Sequence, residues 1–343
     1  MAAGILAKHV FGKPWLICLA PQLGDAVVTT VSIEQARRFL AGRAELVLAT
    51  TPELQPLFAA RAGVERVFAY RCNGASEVPG PSCDVVIDLG STAASAHFCA
   101  SIPAAHHFRQ ILADAGTLVS WGHRTYPLDA FTSGQMGNTG TLPEPAWVVE
   151  AQVIAFITGG DVQRWVSEGC EPRLASVRSV GNSACHPVVV LAPCGGLPAK
   201  RWPDANWIAL SLALVDAGCI VQVVLGPQEV TNSTLRGFPG SVGLIRPDTT
   251  GTLGNILDRA DLIIANDCGP MHVAAALGRP TLAIFGPTNP RVWFCYSGQS
   301  REYIQVAGEH TQPGTTGNCP QWPAVGQVLE RARQLLHGFH ASR

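Results

Sequence analysis

The chain has 343 residues, 47% of them hydrophobic and 14% charged, with a formal net charge of -1. That length suggests two domains, each with enough apolar material for its own core. Near-neutral charge without any run of Lys and Arg excludes a nucleic-acid partner gripped by a basic patch. The 11 cysteines are scattered and none shows C-x-x-C spacing, which speaks against a zinc or disulfide framework. Most of them read as small buried hydrophobes. No stretch of about 18 uninterrupted apolar residues occurs, so no integral membrane segment is expected. Lys8 and Lys13 interrupt the early apolar stretch and no small-residue cleavage site follows, so the start does not read as a signal peptide. Cytoplasmic localisation is the expectation.

Residues 14–20 read as a buried first strand, broken by Pro21-Gln22-Leu23-Gly24-Asp25. A helix is predicted over 26–40, ending near Gly42, then a strand over 45–50, a helix over 52–62 and strands over 64–69 and 83–89. Residues 100–150 read less clearly; 132–141 form a Gly-rich polar loop, and a helix over 148–157 closes the first domain. Residues 159–187, rich in Gly and Pro, read as a linker. The pattern then restarts. Strands are predicted over 187–192, 220–225, 261–265 and 281–285, with helices over 206–217, 253–259 and 273–277. Strands alternating with helices predict an α/β fold with doubly wound parallel sheets. Domains are expected at 1–160 and 185–325, with a C-terminal helix over 326–343 packing back on the N-terminal domain. Two such halves leave a cleft, with ligand loops at the carboxyl ends of strands.

The stretch 260–278 is the most informative. An apolar strand runs through Asn266-Asp267-Cys268-Gly269 into a helix opened by Pro270 and capped by Gly278. A glycine loop at a helix N-terminus offers free amides and the positive end of a dipole, an anion site suited to phosphate; it also reads as an ordinary turn. Asp267 could accept from sugar hydroxyls or from its own backbone. His272 reads as an imidazole packing this loop. Lys200 follows Gly195 and Gly196, and an ammonium beside glycine backbone suits a phosphate, or is simply a surface lysine. Glu229, after Gly226-Pro227, reads as a ribose ligand or as a first-turn helix acid. Asp25 reads as a general base or a helix N-cap.

Several chemistries lack their signatures. There is no Walker A loop, no G-x-G-x-x-G after the first strand, no D-x-D metal motif and no G-x-S-x-G elbow.

Residues 191–203 (LAPCGGLPAKRWP), 226–229 (GPQE), 266–272 (NDCGPMH) and 285–290 (FGPTNP), with Leu23-Gly24-Asp25, residues 248–253 and Asn318-Cys319-Pro320, resemble the bacterial heptosyltransferases of glycosyltransferase family 9. The resemblance covers nearly all of 185–325 and is thin over the first half beyond 14–70. It implies a GT-B fold of two Rossmann-like domains. It also implies transfer of a sugar, typically heptose from ADP-heptose, with inversion and with no metal or other cofactor. By that resemblance Asp25 is the general base and Lys200 neutralises the diphosphate. Cys268, Gly269 and Pro270 form the phosphate loop, beside Gly195, Gly196 and His272. Glu229 binds the ribose, Gly251 and Thr252 lie beside the base, and Asp267 touches the donor sugar. The partners implied are a nucleotide-sugar donor and an acceptor with a free hydroxyl. The chain also departs from the family. No basic residue precedes Gly24-Asp25, and residues 72–108 hold no Lys or Arg. An acidic lipopolysaccharide acceptor would want complementary charge, so besides the lipopolysaccharide core a small neutral molecule, a nucleoside-like natural product or a protein hydroxyl is open. Two other readings are a nucleotide-sugar epimerase or hydrolase, for which His97, His106, His107 and His123 are candidate acids or bases, and a binding module without catalysis.

Overall fold

The computed structural model describes residues 6, 11–70, 82–113, 116–121, 124–127, 145–177, 186–226, 237–298, 300–305 and 322–341. The chain divides into two compact units, Met1–Arg173 and Leu174–Arg343.

The first unit is built on a seven-stranded sheet. Its strands are β1 (Trp15–Cys18), β2 (Leu46–Thr50), β3 (Arg66–Ala69), β4 (Cys83–Asp88), β5 (Ala104–Ala113), β6 (Gly116–Trp121) and β7 (Arg124–Pro127), in the order β3-β2-β1-β4-β5-β6-β7. β1 to β5 are parallel, and the short apolar runs of β1, β2 and β4 suit burial on both faces. β6 and β7 add antiparallel to β5; the sequence reading left this region unassigned. Phe108 faces Trp121 across β5 and β6, with ring centroids 5.7 Å apart.

The helix expected over 26–40 is two helices, α1 (Leu23–Val28) and α2 (Thr30–Leu40). The cause is local. Thr29 Oγ1 donates to the Asp25 carbonyl at 2.9 Å and Thr30 Oγ1 to that of Val27 at 2.7 Å, so two hydroxyls compete with the backbone ladder. α3 (Gln55–Arg61), α4 (Ala93–Ser101) and α5 (Val148–Thr158) complete the layers. α6 (Val162–Ser167) lies inside the stretch read as a linker, capped by Asp161, whose side chain accepts from the Arg164 amide at 3.2 Å.

The second unit holds six parallel strands: β8 (Val188–Ala192), β9 (Ile220–Val224), β10 (Gly243–Ile245), β11 (Leu262–Asn266), β12 (Thr281–Phe285) and β13 (Arg301–Gln305). Their order is β10-β9-β8-β11-β12-β13. The helices are α7 (Asp204–Asp216), α8 (Thr250–Arg259), α9 (Gly269–Ala276), α10 (Pro290–Trp293) and α11 (Val325–Ala341). α9 is buried all round from Met271 to Ala276. Its alanines let it lie close on the sheet, and Gly278 ends it at φ +70°, a conformation that glycine adopts without strain. α11 belongs to the second unit. Its stripe Val328, Ala332, Leu335 and Leu336 joins the core of the second unit beside Trp207, Leu210 and Leu214 of α7. That spacing of apolar residues presents one continuous helical face, which this core takes up.

Candidate functional site

The second sheet reverses its direction of growth between β8 and β11. At such a switch point the loops leaving two adjacent strands part and leave a crevice for ligands. Most of the candidate residues lie on these two loops.

Asn266 fixes the loops to each other. It is fully buried at the end of β11, and its Oδ1 accepts from the Trp202 amide at 3.1 Å. Its Nδ2 donates to the Pro193 carbonyl, so one side chain ties both ends of residues 193–203 to β11. Trp202 is itself held by a 3.0 Å bond from Nε1 to the Pro323 carbonyl and an edge-on contact with Trp207. Leaving either buried end of the Asn266 amide unpaired would cost about 1–3 kcal/mol.

From this clamp a 3-10 turn, Pro198–Lys200, delivers Lys200. Its Nζ donates to Asp267 Oδ2 at 2.6 Å, with the lysine side chain 18% exposed and the aspartate 3%. Thr288 Oγ1 donates to the same oxygen at 2.7 Å. The ring of Trp293 lies 5.8 Å from the ammonium. An ammonium carries three N–H donors. Among the described residues Asp267 takes one, so two stay available to an incoming anion. Arg201 Nε donates to the Gly195 carbonyl at 2.8 Å and stiffens the same loop. Gly196 is exposed, and a Cβ built there meets nothing within 4 Å, so the fold itself does not require glycine at that position.

The turn after β11 leads into α9, with Cys268 as N-cap and Gly269 and Pro270 in the first turn. The cap side chain makes no capping hydrogen bond. Burial pushes the Cys268 thiol up to about 12, and the neighbouring Asp267 charge adds to the rise. The cap is therefore a neutral thiol at neutral pH and does not repel an anion approaching the helix dipole. His272, on the first turns of α9, is buried; its Nδ1 lies 3.1 Å from the Tyr296 hydroxyl, which also donates to the His272 carbonyl at 3.2 Å. Burial lowers its pKa to about 4, against the opposing pull of Asp267, whose Oδ1 is 3.9 Å from Nε2. His272 is thus a neutral packing imidazole.

Gly251 and Thr252 lie in the first turn of α8. The Thr252 amide donates to the cap Thr249 Oγ1 at 3.0 Å and its hydroxyl to Asp248, which holds the Asp248 carboxyl below its usual range. Glu229 and Asn318-Cys319-Pro320 lie outside the described residues.

In the first unit Asp25 is not an N-cap. Gln22 occupies that position and Asp25 sits in the first turn of α1, where a carboxylate faces the positive end of the helix. Glu150, in the first turn of α5, went unnoticed in the sequence. Burial pushes its carboxyl up to about 8, and the charge of Asp25 adds to the rise. Its Oε2 is buried without a hydrogen bond among the described residues. Of the alternative histidines, His97 is exposed on α4, His106 and His107 lie on β5, and His123 is outside the described residues. Thr288 and Trp293 also escaped the sequence reading. Thr288 lies within the FGPTNP stretch and Trp293 just past it, but only the fold brings them to Lys200.

Residues 162–319 match the model of glycosyltransferase family 9 (heptosyltransferase). The lipopolysaccharide heptosyltransferase 2 of Salmonella typhimurium is 29% identical over 223 residues, 61% of this chain and 59% of that protein. The Escherichia coli enzyme of the same name is 30% identical over 193 residues, 53% of this chain and 50% of its own length. The matched stretches thus span between half and three-fifths of these relatives. Among solved structures, E. coli ADP-heptose lps heptosyltransferase II superposes with a TM-score of 0.68 at 18% identity, over 95% of this chain and 99% of the other. A family 9 glycosyl transferase from Veillonella parvula gives 0.70 at 16% identity, over 97% and 99%. Likeness at that identity shows the fold, which is GT-B. Among the described residues no helix is long and apolar enough to cross a membrane.

Proposed function

We propose that the protein is an inverting glycosyltransferase that moves a heptose from an ADP-linked donor to an acceptor hydroxyl, with no metal ion on the diphosphate. The observation that carries this is the convergence, at the β8/β11 switch point, of a positioned ammonium and a helix N-terminus. As the glycosidic bond breaks, negative charge grows on the leaving diphosphate. Donors fixed in advance lower that barrier without reorganising. On this reading Lys200 and the first amides of α9 take the charge, Asp267 and Thr288 hold the ammonium in place, and Gly195 and Gly196 let the backbone approach the phosphates. Glu229 binds the ribose, and Gly251 and Thr252 border the base. Asp25 accepts the acceptor's proton as the new bond forms.

The acceptor is proposed to be a neutral molecule or a protein hydroxyl rather than an acidic lipid, because residues 72–108 supply no cation. Donor turnover with Asp25→Ala tests the assignment of the base. Transfer should fall by a factor of about 1,000 or more, the scale of general-base loss, while calorimetry gives an unchanged ADP affinity. Turnover at the parent rate would reject Asp25 as the base. Release of free heptose without any acceptor product would favour a hydrolase instead.

A further inference from the structure

The first unit holds a group of side chains that sugar transfer leaves unused. Cys18 ends β1 and Asp88 ends β4, and the parallel register pairs their Cα positions, so both side chains leave the sheet on one face. Cys99, on α4, lies over that face in the same core. The two sulfurs and one carboxylate oxygen lie within 4.8 Å of one another, and none of the three residues is more than 4% exposed. Asp88 Oδ1 accepts from the Gly90 amide at 3.0 Å. Its Oδ2 is buried with no hydrogen-bond partner among the described residues, the nearest cation being Arg109, with Nε at 3.5 Å. A cavity of about 370 Å³ reaches the group; Asp88, Cys99, His107, Arg109 and Ser120 line it. Asp88 is thus held by the Gly90 amide and the Arg109 ion pair, while its Oδ2, beside two thiols and next to a cavity, keeps lone pairs that no hydrogen bond among the described residues uses.

We propose that Cys18, Asp88 and Cys99 bind one Zn²⁺ ion, with a water from the cavity as fourth ligand. Zinc takes four ligands tetrahedrally, with Zn–S near 2.3 Å and Zn–O near 2.0 Å, which separates donor atoms by roughly 3.4–3.8 Å. The observed span accommodates this with small side-chain shifts. As the two Zn–S bonds form, two thiol protons leave to solvent. The ion with two thiolates and one carboxylate then carries a single negative charge, which the Arg109 guanidinium balances. Two thiolates favour zinc over magnesium or calcium, which prefer all-oxygen shells. The ligands come from β1, β4 and α4, far apart in the chain, so no local cysteine spacing announces them. The site belongs to the first unit and adds nothing to the diphosphate chemistry proposed for the second.

The test uses the full chain, stripped with a chelator under a non-thiol reductant and titrated with Co²⁺ and then Zn²⁺. One Co²⁺ per chain should bind, giving thiolate-to-cobalt charge-transfer absorption and the intense visible bands of a tetrahedral ion, and Zn²⁺ should displace it. Cys99→Ala and Asp88→Asn should each weaken Zn²⁺ binding roughly tenfold or more. Cys83→Ala, a thiol of the same core outside the group, should leave it unchanged. Circular dichroism checks that each variant folds; should Cys99→Ala unfold, Asp88→Asn decides. Absence of the charge-transfer band at one equivalent, or its persistence unchanged in the folded variants, overturns the proposal.

Discussion

Lys200 shows how a single charge is made useful by its surroundings. Asp267 and Thr288 do not cancel it but aim it: the carboxylate takes one N–H and leaves the others for an anion. Two other groups, one in each unit, are kept neutral by burial, and they yield pH predictions of opposite sign. His272 titrates near 4 when folded, below the roughly 6.5 of an unfolded chain. The unfolded state therefore takes up the proton first on acidification. Stability from His272 is whole above about pH 6.5 and is lost as pH falls toward 4, by something like 3 kcal/mol. Proton NMR of the imidazole should find it unprotonated at pH 5.5; a midpoint near 6.5 would contradict its burial. Glu150 runs the other way. With its folded pKa raised to about 8, its neutral form is held below that pH, and stability falls as pH climbs from about 4.5 to 8. Glu150→Gln removes that loss. The variant should be more stable than the parent at pH 8, by of order 2 kcal/mol after solvent screening of a part-exposed group, with the gap closing toward pH 4.5. Denaturant unfolding across that range measures it, and a constant gap would contradict the assignment.

The elements around the switch point meet at one close approach. Gly286 follows β12, and a Cβ there would lie 2.6 Å from the Trp322 ring and 3.1 Å from the Ala199 carbonyl. Gly286→Ala must therefore push the turn that carries Lys200. We expect a loss of about 1–3 kcal/mol in stability, the usual cost of overpacking, together with weaker ADP binding by calorimetry. Parent-like values for both would show that the turn gives way freely. The elements that were legible in the sequence share one property. β1, β2, β4, β8, β11 and β12 are apolar runs set between turn residues, and burial in a parallel sheet demands that pattern. β7, β10 and β13 escaped because an edge position demands no such run. β10 has two exposed residues of three. The break at Thr29 was missed because two hydroxyls, not a Gly or Pro, make it. The site was legible as motifs but not as contacts. Asp267, Lys200 and Thr288 each belong to a recognisable stretch, whereas their shared oxygen exists only once β8, β11 and β12 lie side by side. Asp25 and Glu150 are two acids whose mutual influence no spacing rule reveals.

At the scale of the whole molecule, the proposed function assigns different work to two Rossmann-like units. The second carries the family 9 match over residues 162–319, which extends back into the end of the first, and all of the donor-side candidates. The first carries Asp25, the proposed base, and residues 72–108, which hold no Lys or Arg. Donor binding is therefore a property that the second unit's own residues should set, and everything proposed turns on where that donor's diphosphate sits. A crystal structure of the protein with ADP tests it most directly. The β-phosphate should lie within hydrogen-bond distance of Lys200 Nζ and of the Gly269 amide, at the carboxyl ends of β8 and β11. A nucleotide bound elsewhere, or one whose phosphates point away from both groups, would contradict it.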